Sequence, residues 1–481
     1  MVTVRARLLS VLLLLSILPA PSVRGADVPN RAERLRKLET QLRKAPIPEA
    51  IQALEAAIAE SPDDSPTRMK RMEIVLRLRS ENRFEEAAVE GEKLLDDAMS
   101  HAGDRDRLRT LPFASSVLAG LSEELGQEEK GRAALDQPMA WLNEVILPAS
   151  SQFLKGARLR QLANVAGWVA KREGFAAGDD LLSREQRKLE AGREKWTPES
   201  EGLRHWGDVM ESRISLADRS DQPDVVRSLS AELDAAAEQM LKTNPGSDRA
   251  VLTMLEVRTN AVDRMYRDEP EAALALQKKT LEQTEIESTE NRQVIDRVRE
   301  QLAKYEPRIQ AAIIAKSLTG RPAPEIKGAG WVNGDARPPE SLQGKVVLLD
   351  FWALWCGPCI AAFPEVTALH QEFHSRGLEI VGVTRSYGFE WDEAGDEPVF
   401  KENKDLPKET DAVGRYMKKK ALPFPSIVDE HESSMFTNYG VTGIPQSVLI
   451  DRKGVIRLLQ VGHTEAHTKA LRDKIVELLA E

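Results

Sequence analysis

Two cysteines occur in the 481 residues of this chain, and they stand three apart, at Cys356 and Cys359. A bond between them closes a very small loop and removes little unfolded-state entropy, so the pair is a poor structural staple. Its natural chemistry is that of a dithiol that opens and closes. A thiolate is the attacking species, and an ordinary cysteine, with a pKa of about 8.5, is mostly protonated at neutral pH. The placement of the pair supplies what that chemistry needs. Lys345–Phe351 holds the apolar run of a strand buried on both faces. Helical periodicity follows from Cys359 to His374. Cys356 therefore falls at a helix start, where unpaired N–H groups and the positive end of the dipole favour the anion. Cys356 is the expected nucleophile. Cys359, one turn in, is the expected resolving thiol, which attacks the mixed disulfide and releases the product. Pro358 suits the first helical turn, where its missing N–H costs nothing.

The elements that must hold this pair read as an α/β unit. A second strand is predicted at Leu378–Thr384, with two more at Ser447–Asp451 and Val455–Val461 joined by the turn Asp451-Arg452-Lys453-Gly454. A surface helix is predicted over Lys408–Lys420, a strand over Phe424–Val428, and a terminal helix from about Glu465 to Leu479. Strand, helix, strand, then hairpin and helix implies a central sheet. Between them, Tyr387, Phe389 and Trp391 precede the acidic stretch Asp392–Glu397. That segment has two readings, partner selection or packing with solvation, and the second is the commoner use of such a loop.

Asp350-Phe351-Trp352-Ala353-Leu354-Trp355-Cys356-Gly357-Pro358-Cys359 resembles the active-site stretch of thioredoxins. The entry through Gly320–Ile326 and the long middle region resemble the exported TlpA/ResA-like branch. The resemblance covers about residues 318 to 481, a third of the chain. It implies a thioredoxin-like domain and thiol–disulfide exchange. It implies that Asp350 lies beneath the second cysteine and moves its proton; the competing use is a strand-end carboxylate bonded to local backbone. Many TlpA-like proteins carry asparagine there, so Asp350 is closer to plain thioredoxin. Tyr439-Gly440-Val441-Thr442-Gly443-Ile444-Pro445 resembles the loop that ends in a cis-proline opposite the cysteines. Pro445 would then present the backbone of Ile444 to an extended substrate, and Gly462 would let that substrate approach from the other side. Trp355, Gly357 and Pro358 complete the expected substrate-binding set. Pro364 is expected to kink the helix. No cofactor beyond the redox-active Cys356–Cys359 disulfide is implied.

The rest of the chain must do something else. Residues 26–316 read as almost continuous helix, with apolar spacings such as Ile51, Leu54, Ala57 and Ile58. Glu49–Pro62, Asn82–Ala88 and Glu269–Leu274 resemble parts of degenerate tetratricopeptide units. The first two copies are spaced about 37 residues apart rather than about 34, and the tryptophan and glycine marks are missing. An irregular helical array is the equal alternative. Prolines and glycines from Gly320 to Pro339 mark the passage to the α/β part. The expected organisation is therefore a leader over 1–25, a helical domain over 26–316, and a thioredoxin-like domain over 317–481.

Arg5 and Arg7 followed by the apolar run Leu8–Leu18 and by small residues before Ala26 form a secretory-signal pattern. The run is too short for a span that needs about 20 residues. No cysteine lies near the cut to carry a lipid. The mature protein is thus expected outside the cytosol, periplasmic or extracellular, with no stable membrane insertion. The net charge is -10 and charged residues make up 30%, which gives no bulk attraction to nucleic acid. The expected partners are a protein disulfide as substrate, a membrane electron donor, and a protein partner for the helical region.

Other chemistries fit less well. His370 and His374 stand four apart, but no Glu makes the His-Glu-x-x-His pattern, so they read as surface or boundary residues rather than zinc ligands. A peroxiredoxin cysteine would follow Pro-x-x-x-Thr/Ser-x-x, whereas here Leu349 and Ala353 occupy those places. The function expected from the sequence is a thiol–disulfide oxidoreductase acting as a protein disulfide reductase. The alternative from another class is a helical-repeat adaptor with an accessory redox domain.

Overall fold

A computed structural model of the chain describes residues 28–100, 104–145, 152–191, 196–285, 291–335, 339–401 and 405–481. The expected leader, 1–25, lies outside the described residues, as does Pro338. The described chain falls into two compact units, one running to Thr253 and one from Met254 to Glu481.

The first unit is all helix. Successive helices from Arg71–Ser80 through Phe84–Met99, Arg105–Glu124 and on to Pro223–Thr243 pack each against the next. Their apolar residues recur at helical spacing and turn inward. In Phe84–Met99 the buried face is Ala87, Gly91, Leu94, Leu95 and Ala98, a stripe that one amphipathic helix must cover with another. Asp104 caps Arg105–Glu124 by accepting from the backbone N–H groups of Asp106 at 2.9 Å and Arg107 at 3.1 Å. Arg71 is buried between Glu90 and Glu55, the latter 2.9 Å away.

The second unit opens with helices, among them Pro270–Gln283, Arg292–Ala303 and Glu306–Leu318, and then becomes α/β. Its strands are β1 (Gly330–Val332), β2 (Val346–Phe351), β3 (Leu378–Arg385), β4 (Phe389–Asp392), β5 (Glu397–Phe400), β6 (Ser426–Asp429), β7 (Gln446–Ile450) and β8 (Ile456–Val461). Six form one sheet in the order β1-β6-β3-β2-β7-β8, and β4 and β5 form a separate hairpin. β2 runs parallel to β3 and antiparallel to β7, so it is central, and all six of its residues are buried.

Successive strand residues face opposite sides. Val346 and Leu348 join the core beneath α1 (Gly357–Phe373), α2 (Leu406–Lys419) and α3 (Glu465–Ala480). Val347, Leu349 and Phe351 join the other core with Met435, Phe436 and Tyr439. Leu318, the last residue of Glu306–Leu318, packs against this second core. Asp350 has the parity of Val346 and Leu348, which puts it on the sheet face that carries α1.

Three strands differ from the sequence expectation. β1 is three residues long, too short for alternation to reveal. The aromatic–acidic segment is the hairpin β4–β5 rather than a loop.

Candidate functional site

The turn from β2 to α1 carries the cysteines. Its base is fixed by Trp352, which is fully buried. The Trp352 backbone N–H donates to the Val383 carbonyl at 2.9 Å and its indole N–H donates to Ser426 Oγ at 3.2 Å. Its ring meets Phe363 edge-on at 5.3 Å and stacks with Tyr416 at 6.3 Å. Gly382 makes room for this: a Cβ there would sit 2.7 Å from Ser426 Oγ and 3.0 Å from the Trp352 indole nitrogen.

Cys356 is the N-cap of α1, and its Sγ accepts from the backbone N–H of Cys359 at 3.2 Å. That is the helix-start placement in which N–H groups converge on sulfur. The two cysteines are joined as a disulfide, with Cα atoms 5.3 Å apart. Both sulfur-bearing residues are buried, Cys356 at 3% exposure and Cys359 at 1%. The rim is more open. Trp355 is 53% exposed, Gly357 is exposed with open space where a Cβ would project, and Pro358 is half-buried. Pro364 lies inside α1.

The segment after Asn438 carries the proline expected opposite the cysteines. The Ile444–Pro445 peptide is cis. Pro445 is buried and Ile444 half-buried. The Gly462 N–H donates to the Pro445 carbonyl at 2.7 Å, which ties the end of β8 to the proline. Tyr439 anchors the start of the segment: it is fully buried, and its hydroxyl donates to the Pro324 carbonyl at 2.6 Å. Gln446 donates back to the Tyr439 carbonyl at 3.1 Å. Gly440 is next, with φ of +58°. A Cβ there would sit 2.5 Å from the Ala315 nitrogen and nearer still to the Ala311 carbonyl oxygen. The helix Glu306–Leu318 thus packs directly on the approach to the cis-proline.

Asp350 is buried within β2, in register between Gly382 and Ser447. Burial, with no neighbouring cation among the described residues, pushes its carboxyl from the ordinary 3.8 up to about 7. A carboxyl poised near neutrality, on the face that carries α1, is suited to exchanging a proton with a thiol.

Three residues outside the sequence-derived set join the site. Tyr387 meets Trp355 edge-on, with ring centroids 5.3 Å apart. The Arg385 guanidinium lies 5.2 Å from the Tyr387 ring. Glu409, buried on α2, bonds the backbone beside Tyr387. Tyr387 heads the aromatic–acidic segment and Glu409 falls in one helical stripe with Ala412, Val413, Tyr416 and Met417, all of them buried, whereas Arg385 left no signal in the sequence.

The β4–β5 hairpin is held by α2. Glu393 pairs with Arg415 at 2.6 Å and Asp396 with Lys419 at 2.8 Å, while Trp391 lies 5.8 Å from each of those cations. His370 and His374 stack at 4.5 Å, and burial, with His374 adding, lowers the His370 pKa. Among the described residues, no group of three or more His, Cys, Asp or Glu gathers as metal ligands would. No helix among them is long and apolar enough to cross a membrane.

Comparison with known proteins places the likeness in this part of the chain. Residues 319–475 match the Redoxin family. Over 145 residues, 29% of the chain, the sequence is 32% identical to Protein DipZ of Mycobacterium bovis, and the match spans 18% of that protein. Over 148 residues, 31% of the chain, it is 26% identical to thiol-disulfide oxidoreductase ResA of Halalkalibacterium halodurans, spanning 70% of it. A solved thiol:disulfide interchange protein from Chlorobium tepidum TLS aligns with 26% identity and a TM-score of 0.26, over 33% of this chain and 97% of that one. The chain thus spans less than a fifth of the length of the DipZ protein.

Proposed function

We propose that this protein is a thiol–disulfide oxidoreductase of the TlpA/ResA-like type that reduces disulfides of substrate proteins, a reading supported by the match of residues 319–475 to the Redoxin family. The observation that carries the reading is the Cys356–Cys359 disulfide at the N-terminus of α1, with Cys356 Sγ receiving a helix N–H. In the reduced state the same N–H stabilises a Cys356 thiolate. That thiolate attacks one sulfur of the substrate disulfide, forms a mixed disulfide and releases the other sulfur as a thiolate. Cys359 then loses its proton to Asp350 and attacks Cys356 Sγ. The second substrate thiolate leaves, and the Cys356–Cys359 bond closes. Two electrons pass to the substrate, and the disulfide described above is the product state. Ile444, Pro445 and Gly462 line the side on which an extended substrate lies, and Trp355, Gly357 and Pro358 line the other.

The Gly-Pro dipeptide between the cysteines supports a reductase, since thioredoxin lies near about -270 mV and a dedicated oxidant near about -120 mV. The deciding experiment is the reduction potential from a glutathione titration. A value close to that of the oxidant overturns the reductase direction. The remaining parts of the proposal follow the signal pattern and the helical periodicity. The leader 1–25 is removed on export, to the periplasm or the cell exterior, and a membrane donor returns electrons to the dithiol. The helical region 26–316 is a degenerate tetratricopeptide-like array that engages a protein partner, and 317–481 is the redox domain.

A second reading, an adaptor with an accessory redox domain, draws on one feature of the array. An open groove of about 450 Å³ is lined by Met69, Lys70, Met72, Glu73, Asp106 and Arg109, a mixed apolar and charged surface. Cys356→Ser separates the two: if the cellular role survives unchanged, the adaptor reading wins.

A further inference from the structure

Glu409 is 2% exposed, and no cation among the described residues pairs with it. A buried carboxylate is expensive unless its oxygens are fully bonded. Here the loop after β3 supplies the donors. Ser386 Oγ donates to Oε2 at 2.7 Å and the Gly388 N–H to the same oxygen at 2.8 Å. The Tyr387 N–H is shared between the two oxygens at 2.9 and 2.8 Å. Successive backbone N–H groups turned on one anion form a nest, and the anion fixes the nest as much as the reverse.

The fixed residue is Tyr387. Its backbone is held by Glu409, its neighbour Ser386 donates its N–H to the Asp429 carbonyl at 2.9 Å, and the Arg385 guanidinium covers the ring. Its ring then stands edge-on to Trp355, at an interplanar angle of 87°. Trp355 directly precedes Cys356 and is the most exposed side chain of the active-site turn. An unsupported exposed tryptophan samples several rotamers. One braced by a fixed ring presents a single surface, so less entropy is lost when a substrate settles on it.

We propose that Glu409 is a positioning residue of the dithiol site: by holding the 386–388 backbone it sets Tyr387 against Trp355 and so shapes the wall on which protein substrates dock. The proposal rests on the oxidoreductase reading and adds to it a determinant on α2, outside the cysteine motif. The wall favours substrates with an apolar or aromatic side chain beside the disulfide, since that is what a braced indole edge and phenol ring can pack against.

The test compares Glu409→Gln, Tyr387→Ala and Tyr387→Phe in the full chain. Glu409→Gln keeps the shape but turns an N–H₂ toward backbone donors, so part of the nest opens. The substrates are insulin, a protein disulfide, and 2,2′-dithiodipyridine, a small neutral one that does not need the wall. An aromatic pair of this kind corresponds to about 2- to 10-fold in binding. The KM for insulin is expected to rise by that factor in Glu409→Gln and Tyr387→Ala, with kcat much less affected, and the ratio of insulin to dithiodipyridine turnover is expected to fall. Tyr387→Phe, which keeps the ring, should restore the insulin KM. In protein labelled with 5-fluorotryptophan, the Trp355 fluorine resonance should shift in the first two variants and return in the third. Equal losses on both substrates, or an unmoved Trp355 resonance with a lowered melting temperature, would overturn the proposal and leave Glu409 a stabiliser of α2. A wild type that fails to reduce insulin would instead sink the oxidoreductase reading, while the fluorine shifts still decide the positioning.

Discussion

Replacing Asp350 by asparagine should remove a pH dependence of stability whose size the structure sets. The carboxyl lies inside a central strand with no cation beside it among the described residues, and burial lifts its pKa from 3.8 to about 7. A carboxyl whose folded value lies above its unfolded value holds its proton more tightly when folded. Its contribution is therefore fully present below about pH 4, is lost as pH rises through about 7, and is absent above that. The gap between 3.8 and about 7, at roughly 1.4 kcal/mol per pH unit, comes to about 4 kcal/mol. Asparagine fills the same space and does not titrate. The assay is urea unfolding of the oxidised protein, in which neither cysteine titrates, followed by near-ultraviolet circular dichroism from pH 4.5 to 8. Any fixed cost of the amide cancels in the slope. Relative to wild type, Asp350→Asn should gain about 3 kcal/mol between pH 4.5 and about 7 and level off above that. A difference that stays constant from pH 4.5 to 8 would refute the buried-carboxyl argument, and with it the assignment of Asp350 as the group that takes the Cys359 proton near neutrality.

Cys359→Ser should accumulate a mixed disulfide between Cys356 and a substrate protein, seen by mass spectrometry as a reductant-sensitive adduct, and Cys356→Ser should accumulate none. Gly440→Ala forces a side chain into a left-handed backbone at φ +58° and against Ala311 and Ala315. The backbone alone costs about 1–2 kcal/mol, so the thermal transition of the redox part should fall, and insulin reduction should weaken with it. Arg71→Met takes one of two cations from buried Glu90, which keeps Lys93 at 2.7 Å, so the cost should fall below the roughly 3–5 kcal/mol of a fully stranded buried charge. The helical transition in calorimetry should drop while the reduction of dithiodipyridine persists. A loss of both would mean that the two compact units fold as one.

Much of the reactive centre was legible because its determinants are local. Trp355 to Cys359 are consecutive, the strand before them is apolar, and a helix start is a property of neighbours in sequence. The strands β2, β3, β7 and β8 were readable for the same reason, with ends displaced by a residue or so. β1 and the β4–β5 hairpin were not. Three residues cannot display alternation, and Phe389–Phe400 mixes aromatics with acids that pair with Arg415 and Lys419 on α2, a partnership between stretches about 20 residues apart. Glu409 was hidden differently. It stands in the first turn of α2, where an acidic residue is ordinary, and only its alignment with Ala412, Val413 and Tyr416 betrays that it points inward.

That division has a functional meaning. What makes Cys356 reactive, the helix cap, and what would move the Cys359 proton, Asp350, both lie within one strand–turn–helix. What is proposed to select among disulfides is held from farther away. The cis-proline loop is seated by Tyr439 on Pro324 and by Gly440 on the helix Glu306–Leu318, and the Trp355 wall is seated by Glu409 through Tyr387. Substitutions in the first set should change the rate with every disulfide. Substitutions in the second should change the order in which disulfides are preferred. The helix Glu306–Leu318 bears on the backbone that leads to Pro445, through Ala311 and Ala315 against Gly440, and covers the sheet through Leu318.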